Sequence, residues 1–334
     1  MDFYKIRPIY QGQISSPAFK KMVANMHINL PDSASLQALE QRIEKTPGLR
    51  LTTSKALYPQ APGTGLPLLT VETPLCSAVI SLQGAQLLEF KATNGDPLLW
   101  LSPNCDFTPG IALRGGVPLC LPWFGVNQKD PKKPKHGFAR NQFWELGETI
   151  AHPDGVTELT FLFQSDANDL FPYDFSAEVR MILGESAKIE LTINNTDTEE
   201  FDCSWAMHNY HRVSSLREVK VEGLAERNYF DNFENYAEKY QSGDVTFPGP
   251  VDRVYPAVEN AVAINGSPLI QITHYNSPSV VVWNPGPEAA AKITDIGEGN
   301  EQFYICVERG AVLGEQWHLE PGKSMSGWME FKQI

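Results

Sequence analysis

The sequence predicts an all-β protein, a large antiparallel sandwich or barrel, and three observations carry that expectation. From about residue 68 onward, short β-prone runs follow one another: "LLTVETP", "SAVISLQG", "AQLLEFKA", "GVTELTFLFQS", "FSAEVRMILG", "AKIELTINNT" and "SVVVWNPG". Many alternate apolar with polar residues, as Lys188-Ile189-Glu190-Leu191-Thr192-Ile193 does, which is the period of a strand with one buried face. Helical stretches are few and no β-α-β alternation occurs, so roughly a dozen or more strands must pair mainly in antiparallel fashion.

Taken in chain order, the first 65 residues read as an extension and linker, and residues 66–334 as the β-rich domain. The opening "MDFYKIRPIYQGQ" lacks the apolar core of a secretion signal. "SASLQALEQRIEKT" (33–46) places Leu36, Leu39 and Ile43 at helical spacing, with Ser33 or Ser35 as N-cap candidates, and predicts one short helix. "ALYPQAPGTGLP" then reads as a linker. Within the β-rich part, "GESAK" (184–188) lies between two alternating runs and predicts a hairpin connection. The tract "EGLAERNYFDNFENYAEK" (222–239) reads as a solvated, partly irregular surface. No internal repeat is visible.

Composition narrows the function classes. With 42% hydrophobic and 20% charged residues, the chain resembles ordinary globular proteins. Its net charge of -13 argues against nucleic-acid or membrane-surface partners, which attract basic faces. Cys76, Cys105, Cys120, Cys203 and Cys306 are scattered, without C-x-x-C spacing. They read as buried free thiols of a reducing compartment. No apolar run reaches the roughly 18 residues of a membrane span. A cytoplasmic protein is expected.

Neither a dinucleotide fingerprint, a P-loop nor a G-x-S-x-G elbow is present. His208 and His211 would point to opposite faces of a strand, which disfavours a shared metal. The segment 113–146, "LRGGVPLCLPWFGVNQKDPKKPKHGFARNQFWEL", gathers Arg114, Lys135, His136 and Arg140 among Gly and Pro, against the charge of the whole. Arg114 and Arg140 read either as structural salt-bridge residues or as a fork for an anion. His136 is either a turn residue satisfying carbonyls or a hydrogen-bond donor to hydroxyls. Lys135 belongs to a lysine-rich loop that is either solvated or close to that anion. Trp123 and Trp144 favour the core over a sugar platform. His208 ends an apolar run and fits a satisfied near-core residue as well as a functional one. Glu308 follows the apolar stretch Phe303–Val307, where a carboxylate is costly unless it is paired or faces a cleft. Asp252 and Arg253 form either a salt-bridged turn or polar ligands.

"ALRGGVPLCLPWFG", "HGFARNQFWEL", "MHNYHRV", "DRVY", "VVWNPGP" and "FYICVERG" fall in the order and spacing of the hexose-6-phosphate mutarotases. The chain thus resembles glucose-6-phosphate 1-epimerase-like proteins within the aldose 1-epimerase, or galactose mutarotase-like, group over about residues 70–330. The pairing of RGG-x-P with a later HGFAR is more specific than any single match. The resemblance implies a galactose mutarotase-like β-sandwich that interconverts the α and β anomers of a hexose 6-phosphate, D-glucose 6-phosphate first. It implies His208 as catalytic acid and Glu308 as catalytic base. Arg114 and Arg140 match arginines at the phosphate, with Lys135 as a further contact, while His136 and Asp252 match sugar ligands. Mutarotation involves neither redox change nor phosphoryl transfer, so no cofactor or metal is expected; the implied partner is a small sugar phosphate and the implied state a monomer. The alternatives are a mutarotase of unphosphorylated sugars and a non-catalytic carbohydrate-binding regulator. A polysaccharide lyase or hydrolase on a related sandwich would need further carboxylates or a Tyr/Arg base arrangement, and the sequence offers no place for one. The residues after His208, namely Asn209, Tyr210, His211 and Arg212, depart from the small or hydroxyl residue, Tyr and aromatic common in the family, which bears on the pocket lining.

Overall fold

A computed structural model describes residues 30–334; the amino-terminal stretch read for a targeting signal lies outside them. The predicted helix is α1 (Ser33–Ile43). Its cap is Asp32 rather than Ser33 or Ser35: Asp32 has extended backbone, and its carboxylate accepts from the Ser35 N–H at 2.7 Å. Leu36, Leu39 and Ile43 turn onto the core.

The strands follow in chain order. β1 (Leu49–Thr53), β2 (Pro67–Glu72), β3 (Cys76–Ser81) and β4 (Gln86–Ala92) form an antiparallel meander. Leu49 pairs with Val71 and Thr53 with Pro67, so β1 is an edge strand of this sheet. After β5 (Leu119–Cys120) come β6 (Glu145–Ala151), β7 (Thr157–Ser165), β8 (Phe175–Leu183) and β9 (Ala187–Asn195). Residues 184–186 close the β8–β9 hairpin, as the sequence predicts. Next are β10 (Phe201–Cys203), β11 (Trp205–Met207), β12 (Tyr210–Arg212), β13 (Lys220–Glu222), β14 (Arg227–Asp231), β15 (Ala237–Gln241) and β16 (Val251–Tyr255). The chain ends with β17 (Val262–Asn265), β18 (Ile270–Tyr275), β19 (Ser279–Asn284), β20 (Tyr304–Ala311), β21 (Trp317–Leu319) and β22 (Ser324–Gln333). The tract 222–239 is solvated and partly irregular, as expected, but residues 227–231 and 237–239 within it belong to the β14–β15 hairpin, with Tyr229 packed against Tyr255.

Two eight-stranded sheets dominate. One runs β15-β14-β16-β19-β20-β11-β5, with β12 also on β20; the other runs β13-β17-β18-β22-β9-β8-β7-β6. Apolar residues of both, and of the β1–β4 sheet, join one buried cluster, the arrangement of a mostly β sandwich. Alternation along β8 and β9 is strict, with every second residue buried. The strand β20 is different because it is buried at all eight positions. Ile305 and Val307 enter the core between the sheets, while Tyr304 and Cys306 pack into a separate cluster on the outer face. That outer face carries Glu308.

Candidate active site

The site is built on strand register. Tyr210 lies opposite Cys306, Cys306 opposite Trp283, and Trp283 opposite Asp252, which makes one row across β12, β20, β19 and β16. The next row brings Glu308 beside Val281 and Val254. His208 and Asn209 interrupt the strand between β11 and β12, both of which pair with β20. Met207 faces Arg309 and Tyr210 faces Cys306, so His208 falls opposite Glu308 even where the ladder is broken. Its Nε2 stands 3.4 Å from Glu308 Oε1, with both side chains nearly enclosed. In the gap, the backbone N–H of His208 donates to Pro118 O at 2.9 Å and that of Tyr210 to Gly116 O at 2.8 Å. The RGGVP segment therefore holds the histidine through its carbonyls. A Cβ on Gly116, whose φ is +62°, would lie 2.2 Å from Leu87 O, so this close approach requires glycine.

His208 is further fixed by aromatic neighbours: Tyr210 stacks on it at 4.9 Å and Trp283 meets it edge-on at 5.8 Å. His136 approaches from the other side, its ring centroid 5.5 Å away. His136 and Gly137 both adopt left-handed backbone, and a Cβ on Gly137 would lie 2.0 Å from Leu121 O. This turn lets His136 N–H donate to Gly125 O at 2.7 Å and Gly125 N–H donate to His136 Nδ1 at 3.2 Å. An Nδ1 that accepts carries no proton, so neutral His136 presents Nε2–H as a donor.

Exposure rises outward. Glu308, His208, His136 and Asp252 are buried, Arg114 and Arg140 half-buried, and Lys135 exposed. Burial, reinforced by the charges of Arg140, Arg114 and Lys135, pushes the His208 pKa well below its ordinary value. Burial, and then the Asp252 charge, push Glu308 well above the usual carboxylate range, against the opposing pull of Lys135 and Arg140. Burial and the same cations also lower His136. Desolvation lowers the Lys135 pKa, with Asp252 opposing and the two arginines assisting. His208 and Glu308 are thus biased to hold a single proton between them.

The cations differ in how they are held. Arg114 pairs with Asp295, Nε to Oδ2 at 3.0 Å, and donates through Nη1 to the Tyr210 hydroxyl at 2.7 Å. This is the salt bridge that its sequence context left open. Arg140 donates through Nη2 to Lys135 O at 3.0 Å, which ties the two cationic residues together. Asp252 Oδ2 accepts from Asn232 Nδ2 at 2.7 Å. Trp123 and Trp144 are core residues, donating to Pro134 O and Ala139 O. The five cysteines are buried and free. His211 turns to the other face of β12.

The sequence reading named Tyr210 only as a residue bearing on the pocket lining, and it gave no site role to Tyr210, Trp283, Asn232 or Asp295. The first could have been found from its two-residue offset from His208, which puts it on the same strand face. Asp295 carries no such signal, since its contact with Arg114 spans 181 residues. A groove of roughly 1080 Å³ lies elsewhere, between α1 and the β6–β7 edge. Its acidic residues, Glu145, Asp166 and Asp169, face no histidine there, so size alone does not identify the chemistry.

A mostly β fold with a histidine and a glutamate opposed on a buried sheet face, and donors and cations around them, is the arrangement of a class of protein able to move protons on a polar ligand. The chain belongs to the aldose 1-epimerase family, whose profile matches residues 67–332. A relative from Salmonella typhimurium named "Putative glucose-6-phosphate 1-epimerase" is 37% identical over 249 residues, covering 73% of this chain and 82% of the relative. A relative of the same name from Cenchrus ciliaris is 34% identical over 266 residues, covering 75% and 80%. The crystal structure of a Salmonella typhimurium protein described as a "putative mutarotase" superposes with a TM-score of 0.74 at 33% identity, covering 80% of this chain and 90% of that one. Among the described residues, no helix is long and apolar enough to cross a membrane.

Proposed function

We propose that this protein interconverts the α and β anomers of a hexose 6-phosphate, D-glucose 6-phosphate first, by acid and base catalysis. The carrying observation is the buried His208–Glu308 pair, 3.4 Å apart and opposed across β11–β12 and β20. In this reading Glu308 takes the proton of the anomeric O1 hydroxyl while His208 protonates the ring oxygen O5. The C1–O5 bond breaks, the open-chain aldehyde rotates about C1–C2, and closure on the other carbonyl face gives the other anomer. The ring oxygen can only accept a hydrogen bond, whereas O1–H can donate. Substrate therefore selects the arrangement with the shared proton on His208 and Glu308 ionised. Reversal of the same transfers restores the pair.

His136, as a neutral Nε2–H donor, and Asp252 would orient the sugar hydroxyls. Arg140 and Lys135, tied together at the open edge, would receive the phosphate. Arg114 would contribute through the rest of its guanidinium, whose Nε already engages Asp295 and whose Nη1 engages the Tyr210 hydroxyl. Charge-assisted hydrogen bonds of this kind contribute about 1.5–3 kcal/mol each. The names of the relatives support the phosphorylated substrate. The pairing of Arg114 with Asp295 favours a second reading, action on unphosphorylated sugars, because one cation is already neutralised. The chemistry draws on no cofactor, and the buried free thiols fit a cytoplasmic enzyme, read here as a monomer.

The test is two-dimensional NMR exchange between anomers of glucose 6-phosphate and, separately, of glucose. Exchange above buffer for the ester, and weaker for glucose, is the expected result. Folded protein that accelerates neither sinks the catalytic reading, and equal acceleration of both sinks the phosphate reading.

A further inference from the structure

Cys306 lies in the row directly beneath the acid and base and takes no part in the proposed proton transfers. His208, Cys306 and Glu308 are all buried, and one ligand atom from each lies within 4.8 Å of the others. Nitrogen, thiolate sulfur and carboxylate oxygen form a donor set suited to zinc. In a tetrahedral site with zinc–nitrogen and zinc–oxygen bonds near 2.0–2.1 Å, two such ligands stand about 3.3–3.4 Å apart. The His208–Glu308 separation of 3.4 Å already matches that edge. Glu308 Oε2 is buried without a hydrogen-bond partner, an acceptor that a cation would satisfy. Tyr210, stacked on His208, keeps the imidazole turned toward the other two groups.

The geometry points to a reversible inhibitory site for a thiophilic divalent cation, zinc above all, made by His208, Cys306 and Glu308. Metal there takes the lone pairs of His208 Nε2 and of the Glu308 carboxylate, the groups that proton transfer requires, and so competes with sugar. Binding releases the Cys306 thiol proton and the proton shared by the pair to solvent, so affinity rises with pH. Two features hold the affinity below that of a structural zinc site. His208 Nδ1 has no partner to raise the basicity of the ring, and the Arg140 and Lys135 charges lie close by. The Arg114 charge is offset by Asp295.

Cobalt(II) is the spectroscopic probe, because coordination does not depend on the proposed substrate. Titration of the full chain should give the intense visible bands of tetrahedral cobalt and a near-ultraviolet thiolate-to-cobalt band at one equivalent. Cys306→Ser should remove the thiolate band and weaken cobalt and zinc binding by more than roughly tenfold, since even the loss of an outer-shell partner costs about that much. Cys306→Ala serves as the second variant, with circular dichroism to confirm folding. Zinc should suppress anomer exchange of glucose 6-phosphate competitively, with full recovery on chelation. A thiolate band that persists in both cysteine variants, or no tetrahedral spectrum in the parent, overturns the site. A Cys306-dependent spectrum without any exchange activity to inhibit would refute the catalytic reading and leave the metal site standing.

Discussion

His208 and His211 are three residues apart, both buried, and both held neutral by loss of water. Yet they stand on opposite faces of one sheet. His208 meets Glu308, Tyr210 and the cationic rim, whereas His211 lies opposite Ile305 and edge-on to Phe331 of the other sheet at 5.5 Å. Its ring nitrogens have no well-aligned partner, and the nearby Val307 and Leu98 backbone only partly offsets a pKa lowered to about 3. Burial is the largest influence on the charge of each imidazole. What faces it determines whether that imidazole is chemistry or core.

Four measurements break or sharpen this contrast, beginning with the largest effect. His208→Asn and Glu308→Gln should each lower kcat for anomer exchange by about 10²–10⁴-fold, the usual worth of a positioned acid or base. His211→Leu should leave kcat near that of the parent; comparable losses from the two histidines would erase the distinction between the faces. The second effect concerns stability. The His211 pKa is depressed in the folded chain, so the unfolded chain binds more protons below its ordinary value of 6.5. Its stabilising contribution is complete above that pH and is lost progressively as pH falls toward about 3. Between pH 6.5 and roughly pH 4.5 the loss amounts to about 2 kcal/mol, the slope approaching about 1.4 kcal/mol per pH unit. Urea denaturation should show a flatter acid limb in His211→Leu, and an unchanged limb would refute this account.

Third, Arg140→Ala should raise KM for glucose 6-phosphate roughly tenfold or more, the equivalent of one charge-assisted hydrogen bond, and leave glucose unaffected. An equal rise for both sugars would make Arg140 a structural residue. The smallest effect is expected from Tyr210→Phe, which keeps the ring stacked on His208 but removes the hydroxyl that accepts from Arg114. Because Asp295 still anchors Arg114, the loss acts only on its positioning and predicts a KM increase of roughly three- to tenfold, with kcat maintained. A large fall in kcat instead would mean that the hydroxyl acts on His208 rather than on Arg114.

Much of this molecule was legible before the structure. Alternation in residues 188–193 is that of β9 in the sandwich, and the turn at 184–188 closes its hairpin. The cost of burying Glu308 after an apolar run was visible because β20 carries apolar residues on both faces. In the tract 222–239 the solvated surface was legible but the β14–β15 hairpin was not, because a polar edge hairpin looks locally like a loop. The setting of Arg114 was undecidable between two readings, since its carboxylate partner arrives from residue 295.

Local sequence, then, determined strand periodicity, the identity of the core and the residue types capable of acid, base and anion chemistry. These depend on neighbours one, two or four positions away. Only tertiary structure decided that His208 faces Glu308 across interrupted strands, that Gly116 and Pro118 carbonyls hold it there, and that Asp295 engages Arg114. Each of those is a contact between distant segments, set by antiparallel register and close backbone approach, and register is a property of the folded sheet rather than of any single run of residues.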